Sequence, residues 1–500
     1  MHKLVPATLA LAMGLPLGAV ADTAADVTAL RQEMDAMRAA YEARMQALEA
    51  RLRSAEAALA APAISAPPAA DAAPVAGASA TRSAAPASAA VPAVSLSAGT
   101  TPAPTAPSAT APEAAGPAAP ATAAATSSGF NPSVSLILSG QYARTSLDPA
   151  NYAITGIRLP AGDDVGPGTR GFSLSETELG LAASIDPWFR GSASFAIAGD
   201  NSISVEEAYV QTTALGNGLG VKAGRFFSNI GYLNPQHAHV WDFVDAPLAY
   251  QAYLGTQYVD DGVQVSWLAP IDQYLELGVE AGRGRHFPGT DTGRNGPGMV
   301  TLTAHTGGDF GESHSWRAGL SVLNAKATDQ LLVASNGAGD PVTDAFNGST
   351  RVWIADAVWK WAPNGNPSRT SLKLQGEYLQ STRSGTLVHD VGNADRAGSY
   401  RAVQSGWYVQ GVYKFHPYWR IGLRTEQLDT GTPDYGINAA ALASDGYRPR
   451  KNSVMLDFSP SEFSRLRLQL AQDRSREGLT DRQVFLQYQM SLGAHGAHGY

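Results

Sequence analysis

The chain has 500 residues, 44% hydrophobic and 16% charged, with 51 Gly, 31 Pro and no Cys. Charged residues are scarcer than the quarter or so of an average soluble domain, yet beyond the N-terminus no run approaches the roughly 18 apolar residues of a membrane helix. The missing cysteines exclude disulfide scaffolds, thiolate zinc sites, iron–sulfur clusters and thiol catalysis, and the net charge of −8 argues against general nucleic-acid binding.

Residues 1–21 read as a secretory signal. Lys3 supplies the positive end, Leu4 to Val20 is apolar, and Ala19-Val20-Ala21 is a small-x-small cleavage site. The chain is therefore expected to be exported. Residues 22–60 follow as a helix. Val27, Leu30, Met34, Met37, Tyr41, Met45, Leu48 and Leu52 fall at spacings of three and four, with Glu, Asp and Arg on the other faces. A stripe that narrow reads as a short coiled coil. Residues 61–128 are almost all Ala, Pro, Ser, Thr and Gly. Such a segment cannot bury enough apolar surface to offset its ordering entropy, so it is expected to be a disordered spacer.

The composition breaks at Gly129, and all nine Trp lie beyond residue 187. From residue 129 to 500 the chain reads as segments of about ten residues with alternating faces. Leu179, Leu181 and Ala183 alternate with Glu178 and Gly180, and Leu466, Leu468 and Leu470 with Arg465, Arg467 and Gln469. Sixteen such segments are found, beginning with 133–144 and ending with 484–492. An even count of strands about nine to eleven residues long is the outer-membrane barrel pattern. The connections support it. Tight turns at 186–187, 214–218, 269–273, 415–417 and 459–462 alternate with long loops expected at 145–171, 228–261, 324–349, 381–403 and 428–450. Only 199–202 is short where a long loop belongs. Aromatic pairs near strand ends, Trp188 with Phe189 and Tyr418 with Trp419, fit an interfacial girdle. The fold class expected is all-β: a 16-stranded antiparallel transmembrane β-barrel behind a coiled coil and a linker.

With the apolar face turned to lipid, the other face lines the interior. It carries Arg190, Lys222, Arg317, Lys360, Lys373, Arg420, Arg424, Arg465 and Arg467, and the acids Glu176, Glu178, Glu206, Glu276, Glu280, Asp356, Glu377, Glu426 and Asp457. Sixteen strands leave room for an aqueous channel, in which such charges stay solvated and set ion preference. Arg420, Arg424, Arg465 and Arg467 fit either a basic ladder for anions or a wall salt-bridged to nearby carboxylates.

The 228–261 connection is expected to fold inward and set the narrowest point. It holds His237, His239, Trp241, Asp242 and Asp245. In a confined site these acids would repel anions, opposing the ladder and leaving weak ion preference. Imidazole and carboxylate suit zinc, but a two-histidine fragment is a weak signal, and so is the pair His495 and His498. No metal and no cofactor is assigned.

Several stretches resemble the phosphate-selective-porin-like (porin O/P-like) outer-membrane proteins: Val205-Glu206-Glu207-Ala208-Tyr209-Val210, Val221-Lys222-Ala223-Gly224-Arg225-Phe226, and Asp261-Gly262-Val263-Gln264-Val265-Ser266-Trp267. A coiled coil before a barrel is similar too. The resemblance implies a sixteen-stranded, usually trimeric, diffusion channel in the bacterial outer membrane, its coiled coil in the periplasm. Phosphate specificity in that family depends on a rich arginine and lysine ladder, whereas the lumen here is mixed. The expected function is passive diffusion of small hydrophilic solutes or ions, with lipid and two further copies of the chain as partners and no nucleic acid. The alternatives are a receptor or transporter for a specific nutrient or metal complex, and an envelope tether. Gated receptors have about 22 strands, more than this length supplies. His389-Asp390 and His416 are scattered and no nucleophile elbow occurs, so no enzyme is expected.

Overall fold

The structure is a computed structural model that describes residues 132–493, apart from 163, 164, 176, 200, 292, 294, 336–340 and 443–445. The expected signal, coiled coil and linker, the 494–500 tail with His495 and His498, and Glu176 lie outside the described residues.

Eighteen hydrogen-bonded segments form one sheet. One of them, Leu159–Pro160, lies inside a loop and pairs with Leu332 and Val333. Two others are halves of one interrupted strand, since both pair with the first. The wall therefore has sixteen strands: β1 (Ser133–Thr145), β2 (Gly171–Leu174 with Thr177–Ser184), β3 (Phe189–Ile197), β4 (Ile203–Thr212), β5 (Leu219–Phe227), β6 (Val259–Leu268), β7 (Tyr274–Gly282) and β8 (Met299–Phe310). Then come β9 (His314–Ser335), β10 (Pro341–Trp361), β11 (Ser371–His389), β12 (Arg396–His416), β13 (Trp419–Asp429), β14 (Arg450–Ser461), β15 (Ser464–Arg474) and β16 (Asp481–Gly493). Each pairs antiparallel with its sequence neighbours. β1 pairs with β16 from Ser135↔Gly493 to Thr145↔Gln483, which closes the ring.

The wall is inside out relative to a soluble protein. On β15, Leu466, Leu468 and Leu470 are exposed, while Arg467 and Gln469 between them are buried. On β16, Leu486, Tyr488 and Met490 are exposed and Gln483 and Gln487 buried. In water this would cost roughly 25 cal/mol for each Å² of apolar surface left outside; against hydrocarbon it costs nothing. A closed sheet leaves no unpaired edge, which lipid requires. The aromatic girdle gathers at the short-turn end, where Trp188, Phe310, Phe415, Tyr418 and Phe463 are exposed.

All sixteen expected segments are strands, but two expected long loops are not loops. The segments 324–349 and 381–403 are largely continuations of β9, β10, β11 and β12, which run 22, 21, 19 and 21 residues. The sequence hides this because the apolar face switches sides. Within the lipid span of β10, Trp353 points outward; further along, Phe346 points inward and is fully buried. There Phe346, Leu387, Tyr400 and Tyr435 make a second core inside the rim. Outside the bilayer both faces tolerate polar residues, so the Gly, Ser, Thr and Asn of these hairpins read as loop.

The lipid-facing assignment predicts that Leu468→Lys, near the middle of β15, lowers stability by about 2–4 kcal/mol in urea unfolding from lipid vesicles. An exposed leucine of a soluble protein would show almost no change.

Candidate functional site: a loop folded into the barrel

The connection between β5 and β6 does not lie over the rim. Ile230, Tyr232, Leu233, Trp241, Phe243 and Tyr258 are buried, as is every residue of its helix α1 (Leu248–Leu254). A helix buried all round needs walls on all sides, and the barrel supplies them. Gly255, left-handed at φ 64°, ends the helix. Asn234 staples the loop's base: its Nδ2 donates to the carbonyls of Ser228 (2.8 Å) and Tyr258 (2.9 Å), and its Oδ1 accepts from Tyr258 N at 2.7 Å. One core joins the loop to the inward faces of Leu323, Val352, Ile354, Leu379, Tyr408 and Leu428, and to Ile154, Ile157 and Leu159 of the first long loop.

Polar anchors fix the rest. Glu377 on β11 accepts from Tyr232 N (3.2 Å), Leu233 N (3.0 Å), Tyr250 Oη (2.8 Å) and Tyr408 Oη (2.5 Å). Glu426 on β13 accepts from Leu248 N at the start of α1. Glu280 on β7 takes Ser228 Oγ and Asn229 N. Charge-assisted bonds of this kind are about twice as strong as neutral ones.

The nine basic residues expected to line the pore divide. Lys373 and Arg420 both pair with Asp242 of the loop, and Arg420 also with Asp457. Arg424 pairs with Asp245 (2.7 Å) and Glu426 (3.1 Å) and stacks on Phe243. Arg467 grips Asp457 at 2.7 and 3.1 Å and is fully buried. Arg465 donates to the carbonyl of His239 at 2.7 Å. Arg317 sits over the ring of Tyr232. Lys222 lies over Tyr209 and Phe226, Arg190 is exposed, and Lys360 is half-buried opposite Lys373.

The loop's acids therefore do not face a passage. Asp242 is buried and the side chain of Asp245 is 8% exposed, and each is held by two cations. Burial alone would push both carboxyls up. For Asp242 the charges of Lys373 and Arg420 outweigh it, and for Asp245 those of Lys451 and Arg424, so both stay below the ordinary carboxylate range. Lys451, absent from the expected pore set, has the inward parity of Asp457 on β14; the alternation could have found it. Trp241 is buried, its Nε1 donating to the Gln236 carbonyl.

His237 and His239 meet residues distant in sequence. His237 Nδ1 stands 3.1 Å from Glu178 Oε2 and 3.5 Å from Glu206 Oε2, and its Nε2 3.1 Å from Glu207 Oε2. His239 Nδ1 is 3.1 Å from the same Glu178 oxygen. Burial disfavours a charged His237, but Glu178, Glu206 and Glu207 outweigh it and hold its pKa well above the ordinary value. Asp242 of the same loop pairs instead with Lys373 and Arg420 on the opposite wall.

No protein-family model matches the chain. An uncharacterized protein of Aquifex aeolicus (strain VF5) is 31% identical over 407 residues, covering 75% of this chain and 81% of that protein. The chain belongs to that protein's family. Among solved structures, the outer-membrane channel DcaP of Acinetobacter baumannii aligns at TM-score 0.43 and 15% identity, over 73% of this chain and 98% of that one. A loop-deletion form of OmpT, an outer membrane protein of Vibrio cholerae, aligns at TM-score 0.45 and 9% identity (72% and 99%). An anion-selective porin from Comamonas acidovorans aligns at TM-score 0.42 and 11% identity (73% and 100%).

Because the acids are depressed, their contribution to docking is complete above the unfolded carboxyl value of about 3.9 and is lost as pH falls below it. Protease cuts within 228–258 should stay absent at pH 7 and pH 5 and appear near pH 3. Asp245→Asn, which leaves Arg424 and Lys451 buried with half their partners, should weaken docking by about 3–5 kcal/mol and bring cutting at pH 7.

Proposed function

We propose that the chain is an outer-membrane porin, a channel for passive diffusion of small hydrophilic solutes or ions, working as a homotrimer. The observation that carries this reading is the wall itself: a closed ring of sixteen strands with leucines outside and arginines, lysines and carboxylates inside, crossed by one inward loop. A diffusion channel needs no catalytic group and no cofactor. The expected coiled coil at 22–60 would sit in the periplasm and aid assembly.

Within that reading the channel prefers anions modestly. The loop's carboxylates are neutralised by their partners, so the passing solute meets the cations that remain partly open. Those lie close to the short-turn end of their strands: Arg190 on β3, Lys222 on β5 and Arg317 on β9. Lys360 and Lys373 are cross-strand neighbours, as are Lys414 and Arg420. This arc is the feature in which the chain is most like a porin of the O/P kind. Acids on the short turns, Asp186, Asp272, Glu312 and Glu462, temper it.

Planar-bilayer reversal potentials test this. Wild-type protein should pass chloride over potassium. Lys222→Gln with Arg190→Gln should shift the reversal potential toward cations, more strongly at low salt, where screening is weaker. Cation preference in the wild type, or no conductance, would sink the reading.

A further inference from the structure

We propose that Glu178 on β2 and His237 and His239 on the inward loop form a binding site for a divalent transition-metal ion of the zinc class, with a fourth position open to water and Glu207 orienting His237. One donor atom from each of Glu178, His237 and His239 lies within 4.8 Å of the other two. Both imidazole nitrogens are 3.1 Å from the carboxylate oxygen. Ligands held tetrahedrally at zinc's usual bond lengths stand roughly 3.3 Å apart. Yet Glu178 Oε2 and His237 Nδ1, both buried, make no hydrogen bond of acceptable angle despite that distance.

The far side of His237 is built as metal-ligating histidines require. Its Nε2 faces Glu207 Oε2 at 3.1 Å. A ring that donates Nε2–H to that carboxylate keeps its Nδ1 lone pair for a metal, the usual carboxylate–histidine–metal arrangement.

The backbone supplies the geometry through an irregularity. Ser194 of β3 pairs with Glu207 and Phe195 with Val205, so Glu206 is the extra residue of a β-bulge. In regular alternation Glu206 and Glu207 would face opposite sides of the wall. The bulge turns both inward, a re-aiming common beside functional sites. On the loop, His237 precedes the single 3-10 turn Ala238–Val240, and the two rings lie 5.4 Å apart. His237, Glu206 and Glu207 keep part of their side-chain surface open, leaving a way in. One carboxylate and two neutral imidazoles suit zinc, nickel or copper better than calcium or magnesium, which take oxygen alone. A bound ion ties the loop to β2 and β4, on the wall opposite Asp242 and Asp245, whether or not the barrel conducts.

The test uses full-length protein in detergent, stripped with a chelator, carrying His495→Ala and His498→Ala so that the tail takes up no metal. Titration with zinc followed by calorimetry should give one ion per chain, and cobalt in its place should give the intense visible bands of a four-coordinate site. His237→Ala and Glu178→Gln should each abolish uptake while gel mobility of the folded barrel is retained. Glu207→Gln should keep the stoichiometry and weaken affinity about 10–100-fold. No uptake at micromolar zinc, or uptake unchanged in His237→Ala, overturns the site. Unchanged affinity in Glu207→Gln overturns the role given to Glu207.

Discussion

A sheet that stands in hydrocarbon can leave no backbone N–H or C=O unpaired, and the ladder between β1 and β16 meets that demand. Closure has consequences beyond stability. It divides the side chains of each strand into an outer and an inner population with period two. The outer set has only lipid to satisfy. The inner set is free to be polar, and here it is charged to a degree that no packed protein core would tolerate unpaired.

Those interior charges explain the loop. Glu377, Glu426, Asp457, Arg424, Arg467 and Lys451 are all nearly inaccessible. Each needs a partner, and the loop brings backbone donors, Asp242 and Asp245 to the places where they are missing. Removing one member of such a buried pair usually costs far more than the pair contributes, because the remaining charge is stranded. Wall and loop are therefore mutually dependent: the loop has no core without the barrel, and Lys373, Arg424 and Lys451 of the barrel lose a carboxylate partner without the loop.

The same interior is uneven around the ring. On the β11–β15 side the loop is locked by ion pairs and by aromatic packing over Arg424. On the β2–β4 side it is held by two histidines among three glutamates. The first contact set consists of permanent charges. The second depends on what occupies the imidazole nitrogens, a proton or a metal, so it is the side on which the docked loop can respond to its surroundings.

The sixteen strands, their lipid faces and the inward position of Arg424, Lys373 and Glu178 were legible in the sequence, because alternation is local and a lipid-facing leucine needs no partner to declare itself. The extension of β9 to β12 was not legible, since outside the bilayer nothing imposes an apolar outer face and Phe346 and Leu387 turn inward instead. The inward loop could be suspected from its aromatics and acids. What only the tertiary structure decided is which residues meet: that Asp242 and Asp245 are consumed by Lys373, Arg420, Arg424 and Lys451, and that His237 finds Glu178, Glu206 and Glu207. These partners lie 30 to more than 200 positions apart. A period-two pattern says which side of the wall a residue faces but carries no information about what crosses the barrel to meet it.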